Sequence, residues 1–152
     1  MPDTSRDSCI FCKVVAGQAP VSLVHEDEVS LAFMDIGPVN DGHVLVIPKV
    51  HYPYLADVPE EVGEHLFAVS QRVAASIRRS GLRCEGVNLF LADGQAAFQA
   101  VFHCHLHVFP RFKGDAFKID ADWSYRPTRE ALDATAAAIR AAYRGADGGA
   151  AP

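Results

Sequence analysis

The sequence lacks any apolar run approaching the roughly 18 residues needed to span a bilayer. It has no basic run either: among 14 Lys and Arg residues, only Arg78 and Arg79 are adjacent. With a formal net charge of −5, the chain is not expected to pair with nucleic-acid phosphates or an anionic membrane surface. Four cysteines in a chain of 152 residues that is expected in the cytosol do not read as a disulfide framework. The opening MPDTSRDSC contains no apolar stretch of a secretory leader, so the expected location is the cytoplasm. No segment repeats with a period of about 20–50 residues. Hydrophobic residues at 49% and charged residues at 22% exclude a disordered or low-complexity chain. What the sequence has in excess is histidine: seven residues, three of them within five positions.

The length corresponds to one domain, expected over 1–145, with a mobile tail over 146–152. Residues 20–36 contain two apolar runs split by the charged His25-Glu26-Asp27-Glu28, which predicts a hairpin. Residues 42–47 predict a strand stopped by Pro48 and buried on both faces for part of its length. Residues 57–80 predict a helix: Val62, Leu66, Val69, Val73 and Ile77 recur at helical spacing, and Gly81 supplies the stop. Asp57 is its expected cap, with Pro59 and Glu60 in the first turn. Residues 87–91 and 101–112 predict two more strands, and an amphipathic helix begins near Pro127-Thr128. Strands grouped around one central helix, without regular βαβ alternation, predict an α+β fold. Its expected form is an antiparallel sheet of about five strands with one central and one C-terminal helix.

Within 101–112, His103, His105 and His107 alternate with Cys104, Leu106 and Val108. On a strand the three imidazoles share one face, about 6.6 Å apart per step. A solvated strand face would suit a single histidine better than three flanked by Phe102 and Phe109. Two chemistries fit: a metal site with all three as ligands, or nucleophilic catalysis by a neutral imidazole whose other nitrogen is held by an acceptor.

This strand resembles the signature of the histidine triad (HIT) family. The segments Phe33-Met34-Asp35-Ile36-Gly37-Pro38 and 42–51 (GHVLVIPKVH) resemble the family's first half, and 9–17 (CIFCKVVAG) resembles the N-terminus of its bacterial, CxxC-bearing members. The resemblance covers about residues 8–115. It implies a HIT-like fold and a nucleotide hydrolase acting at the α-phosphate of nucleoside monophosphate conjugates, either dinucleoside polyphosphates or nucleoside phosphoramidates. By the resemblance, His105 is the nucleophile and forms a nucleotidyl-histidine intermediate. His107 lies beside the phosphate, His103 supports from behind, and His43 sits near the triad. The resemblance also implies that Asp35 holds the ribose hydroxyls, Ile36 lines a purine-base pocket, and Gln99 contacts the phosphate between Phe98 and Ala100. No catalytic metal is implied. The chain departs from the family pattern at Ala92, where Asn is common, at Phe98, where Gly is common, and at Ala100, where Ser or another small residue occurs. The other function class is a nucleotide-binding or regulatory protein of the same fold with weak catalysis. A stand-alone zinc structural protein would require neither His105 nor His107.

Cys9 and Cys12 form a CxxC pair. A redox pair usually opens a helix after a strand in a βαβ context, which is not visible here. Unliganded thiols are another reading. The third is structural zinc, which needs four Cys and His ligands. His51 and His103 are the completing residues, a set that some CxxC-bearing members of the family resemble. Family members of this length form homodimers through the central helix and a sheet edge, so the resemblance implies a homodimer. Ala68, Ala74 and Ala75 beside the helix's apolar stripe are compatible with close approach of a partner.

Overall fold

The computed structural model describes residues 4–143; the tail expected over 146–152 lies outside them. The chain falls into two compact units, 1–117 and 118–152. The first unit contains α1 (Ile10–Val15), β1 (Leu23–Glu26), β2 (Ser30–Met34), β3 (Val44–Pro48), α2 (Glu60–Arg79), β4 (Gly86–Leu91) and β5 (Leu106–Arg111). The strands form one antiparallel sheet in the order β1-β2-β3-β5-β4. In the second unit, α3 (Arg129–Ala142) is capped by Thr128, whose hydroxyl accepts from the Ala131 amide at 3.2 Å.

The centre of the sheet is apolar on both faces. β3 is buried along its whole length, in agreement with its density of Val, Leu and Ile. Alternation sends Val44 and Val46 to one face, where Leu66, Val69, Val73 and Ile77 of α2 cover them with Ala32 and Val108. Leu45 and Ile47 go to the other face, with Leu31 and Phe33, and meet Phe11 and Val14 of α1. Because α1 has only six residues, part of this second face stays open. His107 pairs with Leu45 across β3/β5 and with Phe90 across β4/β5, one strand in from the β4 edge.

Two expectations are corrected. Asp57 does not cap α2. It lies in a 3-10 turn, Leu55–Asp57, and its carboxylate accepts from the Tyr54 amide at 3.1 Å. Pro59 keeps Val58 extended, so Asp57 is three residues ahead of the first helical position and out of reach of the helix amides. The last strand of the sheet begins at Leu106, not Val101. Before it, the His103 amide turns back onto the Val101 carbonyl at 2.9 Å, and the Cys104 amide bonds the Tyr52 carbonyl at 2.6 Å. The three triad histidines therefore do not share one regular strand. As expected for a pair outside a redox βαβ context, the CxxC pair lies at a short helix, α1, with no strand before it among the described residues.

Asp27 locks the β1–β2 turn to α2. Its Oδ1 accepts from the Val29 and Ser30 amides at 2.9 and 2.7 Å, and its Oδ2 meets His25 Nε2 at 3.0 Å and His65 Nε2 at 2.8 Å. Burial acts to raise the Asp27 pKa, but the hydrogen bonds from His25, the two amides and His65 hold it well below the usual carboxylate range. Ionised Asp27 therefore stabilises the fold above the unfolded value near 3.8, and this contribution is lost as pH falls through the folded value. Asp27→Asn is expected to cost about 1–2 kcal/mol at neutral pH and less below pH ~3. Urea unfolding at the two pH values checks this; an equal loss at both would contradict it.

Candidate active site and metal centre

The open part of the second face is a cavity of about 740 Å³. His105 and His107 line it, with Asp35, Ile36 and Ala100 and an apolar wall that includes Phe11, Phe33, Leu45 and Val101. Backbone pairing continues past the ends of β2 and β3, with the Asp35 amide donating to the His43 carbonyl at 3.0 Å. This sets the Asp35 and His43 side chains beside His107. Gly42 makes the entry into β3 possible. Its φ is +101°, and an added Cβ would lie 2.9 Å from Leu82 Cδ1 and 3.2 Å from Pro110 Cγ, so any larger residue would strain the approach to His43.

Hydrogen-bond partners fix the histidine tautomers, because a carbonyl oxygen only accepts and an amide only donates. His105 Nδ1 lies 2.7 Å from the His103 carbonyl, so Nδ1 carries the proton and Nε2 keeps its lone pair. The Val39 amide donates to His43 Nδ1 at 3.1 Å. The proton of His43 is therefore on Nε2, and it donates to His107 Nδ1 at 2.9 Å. His107 in turn carries its proton on Nε2. Asp35 Oδ2 stands 3.5 Å from His43 Nε2 and 3.8 Å from His107 Nδ1, while Oδ1 accepts from the Gly37 amide at 2.8 Å. Asp35, His43 and His107 are close enough to suggest a second metal group. The tautomer argues against it, because the lone pair of His43 is spent on the Val39 amide and its Nε2 carries the proton. Burial lowers the pKa of His105, and burial with the neighbouring imidazoles of His105 and His43 takes His107 down to about 4. Both rings are neutral at neutral pH.

On the far side of Phe11, four donors converge. Cys9 Sγ, Cys12 Sγ, His51 Nδ1 and His103 Nδ1 lie within 4.8 Å of one another. His103 Nε2 donates to the Pro48 carbonyl at 2.8 Å, and His51 Nε2 donates to the Thr4 carbonyl at 2.9 Å. Both rings therefore present unprotonated Nδ1 atoms, 3.3 Å apart, toward the same point as the two sulfurs. Lone pairs aimed at one another need a cation between them, and outward N–H groups held by carbonyls are the usual support of metal-bound histidine. Burial, with Cys9 alongside, pushes the Cys12 thiol up to about 11, so a thiolate there also requires a positive neighbour. The residues fit a four-coordinate Cys2His2 metal.

The loop ahead of the triad differs from its expected contacts. The Gln99 side chain is buried, with Oε1 accepting from the Gly94 amide at 2.7 Å and Nε2 donating to the Pro53 and Val101 carbonyls at 2.7 and 3.2 Å. Its amide is occupied by backbone, and it lines a neighbouring cleft and not the cavity of His105. Phe98 has φ +65°, the one non-glycine residue with positive φ among those described, and is 86% exposed. The family's common glycine suits this left-handed backbone without strain. Ala100 lines both cavities, Ile36 is fully exposed at the rim, and Ala92 is buried. Sequence reasoning missed Phe11, whose ring lies edge-on to both His103 and His105, with centroids at 5.8 and 5.2 Å. The only signal was its position between the two cysteines. It also missed Phe90, 5.8 Å from His107, and the Pro48 and Thr4 carbonyls, which no side-chain pattern marks.

Comparison with known proteins places this geometry. A HIT family protein of Bacillus anthracis superposes with a TM-score of 0.84 at 39% identity, covering 92% of this chain and 100% of that one. A zinc-bound histidine triad family protein of Mycobacterium smegmatis is 44% identical, with a TM-score of 0.71 and coverage of 91% and 100%. An adenylylsulfatase of Arabidopsis thaliana is 34% identical over 113 residues, 74% of this chain and 56% of its own length. The HIT domain profile matches residues 16–114, a span that runs from the end of α1 past the last histidine, and on this match the chain belongs to the histidine triad family.

Proposed function

We propose that the protein is a nucleotide hydrolase that cleaves at the α-phosphate of nucleoside monophosphate conjugates through His105. The observation that carries this reading is the 2.7 Å bond from His105 Nδ1 to the His103 carbonyl, which leaves Nε2 as a free, neutral nucleophile at the cavity wall. Nε2 attacks the α-phosphorus; a P–N bond forms as the bond to the leaving group breaks. His107, oriented by His43, offers its Nε2 proton to the departing group or to a phosphate oxygen. Water then attacks the phosphorus as the P–N bond breaks, its oxygen stays on the released nucleoside monophosphate, His105 Nε2 regains its lone pair, and one proton of the water returns to His107 Nε2. The apolar cavity suits a purine nucleoside, with Ile36 at its rim and the Asp35 carboxylate available to accept from the ribose hydroxyls. Ala100 and the Phe98–Ala100 backbone border the phosphate, while Gln99 acts by holding the loop. The named activity of the Arabidopsis relative, cleavage of an adenylyl conjugate, supports the reaction class.

The Cys9, Cys12, His51 and His103 set is read as a structural zinc site. The converging Nδ1 atoms and the zinc-bound mycobacterial relative support it. A homodimer is proposed through α2 and the β4 edge of the sheet, where Leu89 and Phe90 are partly exposed and like edges commonly pair.

Three outcomes follow. His105→Ala is expected to abolish release of AMP from adenosine 5′-phosphoramidate and diadenosine polyphosphates, with nucleotide affinity retained within about threefold. A variant that turns over at wild-type rate would overturn the mechanism. Elemental analysis is expected to find about one zinc per chain, and chelation or Cys12→Ser to lower the melting temperature. Metal-free protein of unchanged stability would contradict the site. Sedimentation at micromolar concentration is expected to give twice 16.4 kDa; a species of 16.4 kDa alone would end the dimer reading.

A further inference from the structure

The metal centre and the nucleophile are adjacent, and two physical links join them. The first is His103. Its ring contributes Nδ1 to the Cys2His2 set, while its backbone carbonyl accepts the Nδ1–H of His105 at 2.7 Å. The ring is completely buried and held at its other nitrogen by the Pro48 carbonyl, so a shift of the His103 backbone is felt at once by the metal-side ring and by the carbonyl that holds His105. The second link is Phe11. It sits between Cys9 and Cys12 on a helix of one and a half turns, and Cys9 Sγ also accepts from the Cys12 amide at 3.5 Å. The Phe11 ring meets His103 at 5.8 Å and His105 at 5.2 Å, both edge-on, and rests on Phe33 at 5.6 Å. A short helix has little stability of its own; Cys9 at its N-cap and Cys12 in its first turn flank this ring on the metal side.

We infer that metal binding at Cys9, Cys12, His51 and His103 sets the orientation and tautomer of His105, with Phe11 and the His103 carbonyl as the connecting parts. The centre is then a control point for catalysis as well as a staple for the fold. Metal loss lets α1 and the His103 peptide relax, and His105 loses both its edge contact and its acceptor. Phe11 is a positioning residue: it lies against the nucleophile and acts through it. Supporting groups around a metal commonly change activity by about 10–100-fold when removed, and the same scale is expected here in kcat. The inference rests on reading His105 as the nucleophile and the four-residue set as a metal site.

The test uses full-length protein labelled with nitrogen-15 in histidine, whose ring nitrogen shifts report the tautomer directly. Metal content is measured first. In the loaded wild type, His105 is expected as a single tautomer protonated at Nδ1. Chelation is expected to give a folded protein in which its two nitrogen shifts move toward averaged values. Metal-loaded Phe11→Leu is expected to retain zinc, show the same averaging and lose about tenfold in kcat. Leu31→Ala, from the same apolar cluster, should lower the melting temperature and leave the His105 signature intact. If the chelated protein unfolds, the loaded Phe11→Leu variant decides alone. A loaded, active Phe11→Leu enzyme with wild-type shifts and kcat overturns the inference and leaves the hydrolase reading standing. Purified protein without bound metal overturns both the site and this coupling, whereas absence of AMP release with normal shifts strikes only the proposed reaction.

Discussion

The hydrogen bond from His105 Nδ1 to the His103 carbonyl is the constraint on which the rest of the site depends. It requires the backbone to leave the extended form for a few residues before β5, because a carbonyl on a regular strand points sideways to its neighbour strand. The turn of the His103 amide onto Val101 and the bond from Cys104 to Tyr52 supply that break. One irregularity thus serves two purposes. It releases His103 to the metal side and keeps His105 and His107 on the cavity side.

The sheet makes this arrangement affordable. A buried imidazole without partners costs several kcal/mol by order of magnitude, and this molecule buries His43, His103 and His105 almost completely. Each has a backbone carbonyl or amide as partner. The carbonyls and amides are held in turn by β2, β3 and the loops at their ends, whose Val, Leu and Ile residues are covered on both faces. Apolar packing fixes the backbone, and the backbone fixes the protons.

Much of this was legible in the sequence. The hairpin, the fully buried β3, the apolar stripe of α2 and the capped α3 follow from period and punctuation, because those signals are local. The alternation of His103, His105 and His107 implied one shared face, whereas His103 lies on another side of Phe11 from the cavity that His105 and His107 line. Asp57 had a good capping spacing, but Pro59 imposes an extended residue that spacing does not register. Gln99 drew attention as a side chain for phosphate, yet its amide is engaged by Gly94, Pro53 and Val101. Contacts made by backbone carbonyls leave no trace in residue identity, which is why the supports of His51 and His103 were invisible until the chain was folded.

Phe98 bears on how this loop can evolve. Its left-handed backbone carries a conformational cost of about 1–2 kcal/mol that a glycine would not bear, and its side chain is open to solvent. The geometry of the loop is set by Gln99 behind it and by Gly94, not by the aromatic ring. The ring is therefore uncoupled from the loop's path: exchange among phenylalanine, glycine and asparagine alters what the loop displays to an incoming molecule, with glycine relieving the backbone cost. A side chain at this site is kept against a backbone cost, so what it displays at the loop surface outweighs the stability that glycine would return.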